Sequence, residues 1–231
     1  MQVIRPSPEI RAVPTGSLEL RLDAKGLRIG APVFIRIFKE ESELELWMRG
    51  DQGWVLFQTY PICKWSGELG PKLKQGDRQA PEGFYRVGAS QLNPNSRRYR
   101  AFNLGFPNAY DREWGRTGSY LMVHGGCTSV GCYAMTDAQA GDIYRLVEGA
   151  LANGAEAVDV HAFPFRMTEV NLARHLASPW RNFWRELKRG YDIFEQTREI
   201  PAVGVVERHY VFETPGVDTL PSSTSRITAW R

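Results

Sequence analysis

No run in the chain approaches the roughly 18–20 consecutive apolar residues that a membrane-spanning helix requires. The opening MQVIRPSPEI also lacks the apolar core of a secretory signal. An excess of one charge is absent as well: 29 Lys and Arg stand against 26 Asp and Glu, for a net charge of +3. So small a balance does not imply a nucleic-acid partner. Cysteine is scarce, with three in 231 residues, which excludes a fold stapled mainly by disulfides. Cys63, Cys127 and Cys132 amount to one odd thiol and one possible pair. Internal repeats and low-complexity blocks are missing too, so a solenoid is excluded. What remains is ordinary globular material, 42% hydrophobic and 24% charged, enough for one large domain or one domain with an appendage.

Periodicity places strands first. VFIRIF (33–38), ELELWM (43–48) and WVLFQTYPI (54–62) are separated by short polar turns and predict a meander of half-buried antiparallel strands. Residues 66–80 are rich in Gly, Lys and Asp and read as loop. Further short strands are expected at 83–90, 102–106 and 119–123, and SYLMV (119–123) delivers the chain into His124. Thr136 and Gln139 have capping-box spacing at the start of a helix. Its apolar stripe is Ile143, Leu146, Val147, Ala150 and Leu151, and Gly154 is its stop. AVDVHAF (157–163) alternates as a strand. A second helix is expected over 179–189, with Ser178 as cap and Gly190 as terminator. Its Trp180, Phe183, Trp184 and Leu187 form a packing stripe. Residues 203–212 read as one late strand, and the tail PSSTSRITAW reads as loose. The expected class is mainly β with helices, α+β.

The chemistry concentrates in HGGCTSVGCYAMTD, residues 124–137. As metal ligands, His124, Cys127 and Cys132 match no common zinc spacing and need a distant fourth donor such as His161. A Cys127–Cys132 disulfide would consume both thiols and leave the glycines unexplained, and inert buried cysteines would leave them unexplained as well. A nucleophile accounts for more of the segment. Cys132 follows Gly131, whose backbone freedom suits a tight turn, and precedes a helix start. Amides of Gly131 and Cys132 are the expected oxyanion donors, a stabilisation of about 3–4 kcal/mol per donor where measured. His124 is the expected general base, with the Gly125 carbonyl holding its ring. These residues together point to cysteine hydrolase or transferase chemistry, which calls for no cofactor and no metal.

The HG…S-x-G-C segment resembles the L,D-transpeptidase (YkuD-like) catalytic domain, and QAPEGFYRV is similar to that family's strand entry. The likeness is closer to the YafK-type branch. It covers TYPICKWSGELGPKLKQGDRQAPEGFY, NPNS, FNLGFPNAYDR, VHGGC…GCYAMTD and VHAFPFRMT, about residues 33–168. The resemblance implies an L,D-transpeptidase-type β-sandwich or barrel-like catalytic domain with peripheral helices. The domain is expected over 17–168, after an irregular leader (1–16) and before a C-terminal helical extension (169–231) on the same domain. It further implies Cys132 as nucleophile, His124 as base, Gly125 as backbone orienter, and Ser129 and Gly131 as the turn shaping the oxyanion site. Two positions depart from the family pattern: its second histidine is Val130 here, and its arginine two places after the cysteine is Ala134. Another cation must then serve, or the substrate differs.

In that family the cysteine attacks a meso-diaminopimelate carbonyl in a peptidoglycan stem peptide, and the YafK-type branch is associated with releasing wall-anchored lipoprotein. The expected function is therefore amide hydrolysis, with formation of 3-3 cross-links or lipoprotein links as the alternative. Stem peptides and the anchored lipoprotein are the expected partners, in the periplasm, with a signal peptide removed from the chain. Arg112, Trp114, Arg116 and Ser129 are the expected substrate-binding residues, because carboxylates are gripped by two-pronged arginines. Arg97, Arg98 and Arg100 form a further basic cluster, and Lys64, Lys72 and Lys74 lie in a loop that the family sets near its cleft. His161 reads as a core or edge histidine. Cys63 and Cys127 lie in segments shared with the branch, and whether they pair in an oxidising compartment stays open.

Overall fold

The computed structural model describes residues 16–213. The leader expected over 1–16, apart from Gly16, and the tail PSSTSRITAW lie outside the described residues. In chain order the elements are α1 (Leu18–Asp23), β1 (Val33–Phe38), β2 (Glu43–Gly50), β3 (Gly53–Pro61), β4 (Lys64–Trp65) and β5 (Gly83–Val87). Then follow β6 (Leu92–Asn93), β7 (Ala101–Asn103), α2 (Ala109–Glu113), β8 (Met122–His124), β9 (Tyr133–Ala134) and α3 (Asp137–Ala152). The last are β10 (Val158–Phe163), α4 (Glu169–Arg174), α5 (Arg181–Thr197), β11 (Ala202–Val206) and β12 (His209–Glu213).

One five-stranded sheet has the order β3-β2-β1-β10-β5, with β1 and β10 parallel and the other neighbours antiparallel. A second has the order β4-β9-β8-β7-β6, in which β8 and β9 are parallel. The main core fills the space between them. Ile35, Ile37, Leu44, Leu46 and Val160 come from the first sheet, Phe102, Val123 and Tyr133 from the second, and Ile143, Leu146 and Val147 from α3. The α3 capping box is present: Thr136 Oγ1 accepts the Gln139 amide at 3.2 Å, and Gln139 Oε1 accepts the Thr136 amide at 3.1 Å.

The first two strands of the meander are buried more deeply than alternation predicts. Every residue of β1 is buried, because the outer face of the first sheet is itself covered. There Phe38, Phe84 and Phe163 pack against Phe183, Trp184, Leu187 and Tyr191 of α5 and against Tyr210 of β12. A sheet sandwiched in this way needs apolar residues on both faces. The region after residue 168 thus completes a second core.

Two expectations there are corrected. The helix expected to stop at Gly190 runs on to Thr197. Gly190 is an interior contact residue, since a Cβ there would stand 2.5 Å from Phe212 Cε1 and 2.7 Å from Phe84 Cζ. The single late strand is a hairpin, β11–β12, whose turn places Glu207 and Arg208 at positive φ. No helix among the described residues is long and apolar enough to cross a membrane.

Candidate active site

The site is built on the parallel pair β8–β9, in register Val123↔Tyr133 and His124↔Ala134. Strand side chains alternate between faces. Continuing that alternation back from Ala134 puts Cys132 on the face that carries His124, two residues further along the register. Met122, the first residue of β8, donates its amide to Cys132 Sγ at 3.4 Å. Sγ in turn lies 3.6 Å from the Tyr120 carbonyl. The nucleophile candidate is therefore fixed by the same strand that ends in His124.

His124 is 5% exposed, and its Nδ1 lies 2.6 Å from the Gly125 carbonyl oxygen. A carbonyl only accepts, so Nδ1 carries the proton and Nε2 is left as the basic nitrogen. Gly125 has no room for a side chain: a Cβ would meet Asp137 Oδ1 at 2.5 Å and the Tyr99 carbonyl at 2.9 Å. Burial lowers the His124 pKa from its ordinary value, against the Gly125 hydrogen bond, and Arg98 adds to the lowering. Burial also pushes the Cys132 thiol up, opposed by the Met122 amide, Lys72 and Arg98. Both directions favour a resting pair of neutral thiol and neutral imidazole.

The loop joining β8 to β9 is short and strongly bent. Gly126 and Gly131 take φ of 87° and 93°, and Cys127 takes φ of 46°. Cys127 is tied to Cys63 by a disulfide, and Cys132 is the free cysteine. That pairing removes the Cys127–Cys132 bridge and the use of Cys127 as a metal ligand. Among the described residues no group of three or more His, Cys, Asp or Glu side chains is placed to hold a metal ion.

Ser129 closes the turn onto Cys132. Its hydroxyl donates to the Cys132 carbonyl at 2.6 Å and accepts the Cys132 amide at 2.9 Å, with Ser66 Oγ 2.7 Å away as the remaining donor. These bonds bear on two of the expected roles. The Cys132 amide is already engaged, which leaves Gly131 as the oxyanion donor candidate, and Ser129 shapes the turn with its polar atoms turned inward. Nothing in the sequence marks Ser66 as its partner.

The expected substrate-binding side chains of α2 and its flank have partners within the protein. Arg116 is buried, paired with Asp111 at 2.8 Å and stacked over Tyr110 and Phe183. Its proximity to the site in sequence reflects a structural role. Trp114 donates from Nε1 to the Arg208 carbonyl at 3.1 Å, and Arg112 donates to the Pro107 carbonyl and lines a cavity beneath the β11–β12 hairpin. Among the described residues, the cations whose charge bears on Cys132 are Lys72 and Arg98. Lys72 is 4% exposed and its ammonium is paired with Asp77. Both belong to basic clusters visible in the sequence, and only folding shows which member of each cluster bears on the sulfur.

The loop carrying Ser66 and Lys72 is held by a buried ion pair. Lys39 Nζ meets Glu82 Oε1 at 2.8 Å and donates to the Gly70 and Ala80 carbonyls, while Glu82 accepts the Gly70 amide and Trp184 Nε1. This ties one wall of the site to β1 and α5.

Residues 32–192 match the L,D-transpeptidase catalytic-domain (YkuD) family. The chain is 52% identical over 187 residues to YafK of Escherichia coli strain K12, covering 81% of this chain and 76% of that protein. The same figures hold for YafK of Escherichia coli O157:H7. Among solved structures, a mutant form of the helical cell shape determining protein Pgp2 from Campylobacter jejuni aligns with a TM-score of 0.48 at 18% identity. That alignment covers 79% of this chain and 67% of Pgp2. By the extent of the family match and the identity to YafK, the chain belongs to the L,D-transpeptidase catalytic-domain family.

Proposed function

We propose that the protein is a cysteine-dependent hydrolase of peptidoglycan-linked amides, which releases a covalently attached lipoprotein from meso-diaminopimelate in the periplasm. The observation that carries this reading is the arrangement on β8–β9. Cys132 Sγ takes the Met122 amide at 3.4 Å, and the strand that donates it ends in His124, whose Nδ1 is fixed by the Gly125 carbonyl at 2.6 Å.

The steps follow from the protonation states. As Cys132 Sγ attacks the diaminopimelate carbonyl, its proton passes to His124 Nε2 and a carbon–sulfur bond forms. The Gly131 amide is the donor assigned to the negative charge that develops on the carbonyl oxygen. The carbon–nitrogen bond then breaks, and His124 returns the proton to the departing amine. Water, deprotonated by the same nitrogen, attacks the thioester, and the products are a free carboxylate and the regenerated thiol. The disulfide next to the site supports an oxidising compartment such as the periplasm.

Transpeptidation, to 3-3 cross-links or lipoprotein links, shares the same acyl-enzyme and differs only in the acceptor. Purified protein incubated with lipoprotein-loaded sacculi separates the two. Released lipoprotein is the expected product, new dimeric muropeptides would favour the transferase, and Cys132→Ala should yield neither.

A further inference from the structure

We infer that Arg98 forms an anion subsite beside Cys132, which binds the second, free α-carboxylate of the diaminopimelate residue whose other carboxyl is attacked. The inference rests on the nucleophile reading above and names what that site recognises. Arg98 comes from the 94–100 segment and reaches onto the β8–β9 loop, where Nη1 hydrogen-bonds Thr128 Oγ1. Its side chain lies along Gly126, with Cδ and Nη1 at 3.6 and 3.7 Å from the place a Cβ would occupy. The guanidinium is thus docked on the loop that joins the base to the nucleophile.

Three observations make a ligand the natural partner of this charge. Arg98 is exposed and forms no ion pair among the described residues, whereas Lys72, the other cation felt at the sulfur, is neutralised by Asp77. Among the described residues, Arg98 is the cation whose charge bears on both His124 and Cys132. A positive charge there disfavours the imidazolium that catalysis must form, so an anion arriving with the substrate would relieve it. Ala134 is fully buried in β9 between Lys64 and His124, and its methyl supplies no charge to the site. Diaminopimelate has two amino-acid centres. When one carboxyl is bound in the scissile amide, the other supplies a planar two-oxygen anion suited to a guanidinium.

The test compares two substrates, a muropeptide amide with that carboxylate free and the same compound with it converted to a carboxamide. Wild-type full-length chain should prefer the carboxylate by about tenfold or more in kcat/KM, the order expected for one charge-assisted contact. Arg98→Gln should bring that ratio close to one, mainly by raising KM for the free acid, and Arg98→Lys should restore part of it. Equal slowing of both substrates by Arg98→Gln, or an unchanged preference, would overturn the subsite. A thioester adduct on Cys132 of the wild-type protein, detected by mass spectrometry, tests the underlying nucleophile reading separately. If turnover proceeds with no adduct and survives Cys132→Ala, it is that reading that fails.

Discussion

At the level of single residues, the proposed nucleophile and base start out uncharged. Burial lifts the Cys132 thiol and depresses the His124 imidazole, so neither ion predominates before substrate arrives. A thiol with a raised pKa gains thiolate about tenfold per pH unit up to that pKa. Alkylation of Cys132 by iodoacetamide should therefore climb steadily from pH 6 to beyond 9. A plateau below pH 7 would reveal a preformed thiolate–imidazolium pair and contradict the neutral state. Cys132→Ala should reduce turnover to background, and His124→Ala should cost about 10²–10⁴-fold, the usual share of a general base. Cys127→Ala should cost less than either in the same lipoprotein-release assay, because its sulfur is bound to Cys63. Equal loss at Cys127 would mean that the roles of the two cysteines are misassigned.

Among the elements, those with strong local signals were legible from the residues alone. The first three strands and the capping box of α3 are local patterns of alternation and hydrogen bonding, and they appear within a few residues of where periodicity puts them. Gly190 was not legible. A glycine after an amphipathic run reads as a stop, and only the rings of Phe84 and Phe212, distant in sequence, reveal why no side chain fits. Gly190→Ala tests this. Helix propensity alone would favour alanine by about 1 kcal/mol, while forcing a methyl against two rings costs about 1–3 kcal/mol. Net destabilisation in denaturant unfolding is expected, and a clearly stabilised variant would show that α5 does not seat on the sheet as described. The site divides along the same line. Cys132, His124 and Gly125 are neighbours in one short segment, so their pattern is visible in the chain. The cations are chosen by long-range packing: Arg116 turns inward to Asp111, while Arg98 crosses onto the β8–β9 loop.

For the molecule as a whole, two devices bind distant parts together. The Cys63–Cys127 disulfide spans a separation of 64 residues and fastens the segment after β3 to the β8–β9 loop. Closing a loop of that size stabilises the native state by about 4 kcal/mol in the chain-entropy treatment. The Cys63→Ala, Cys127→Ala double variant should lose up to that amount in chemical unfolding. The outer core contributes a pH dependence. His161 is fully buried between Phe34 and Phe84, its Nδ1 has no partner, and burial drops its pKa to about 3. Below pH 6.5 the unfolded chain takes up a proton at this histidine that the folded chain refuses, so folding weakens as pH falls towards 3. Relative to His161→Leu, the wild-type protein should lose about 1.4 kcal/mol per pH unit across that window. Parallel curves for the two proteins would place the histidine in a wetter setting than the packing implies.

The protonated sulfur at the centre also bears on how the protein would be poisoned. A small, indiscriminate thiol reagent meets a quiet target at neutral pH, because nothing has yet taken the proton away. An electrophile seated long enough for His124 to accept that proton meets a far more reactive one. An effective inhibitor of this protein would be designed as a ligand first and as a warhead second.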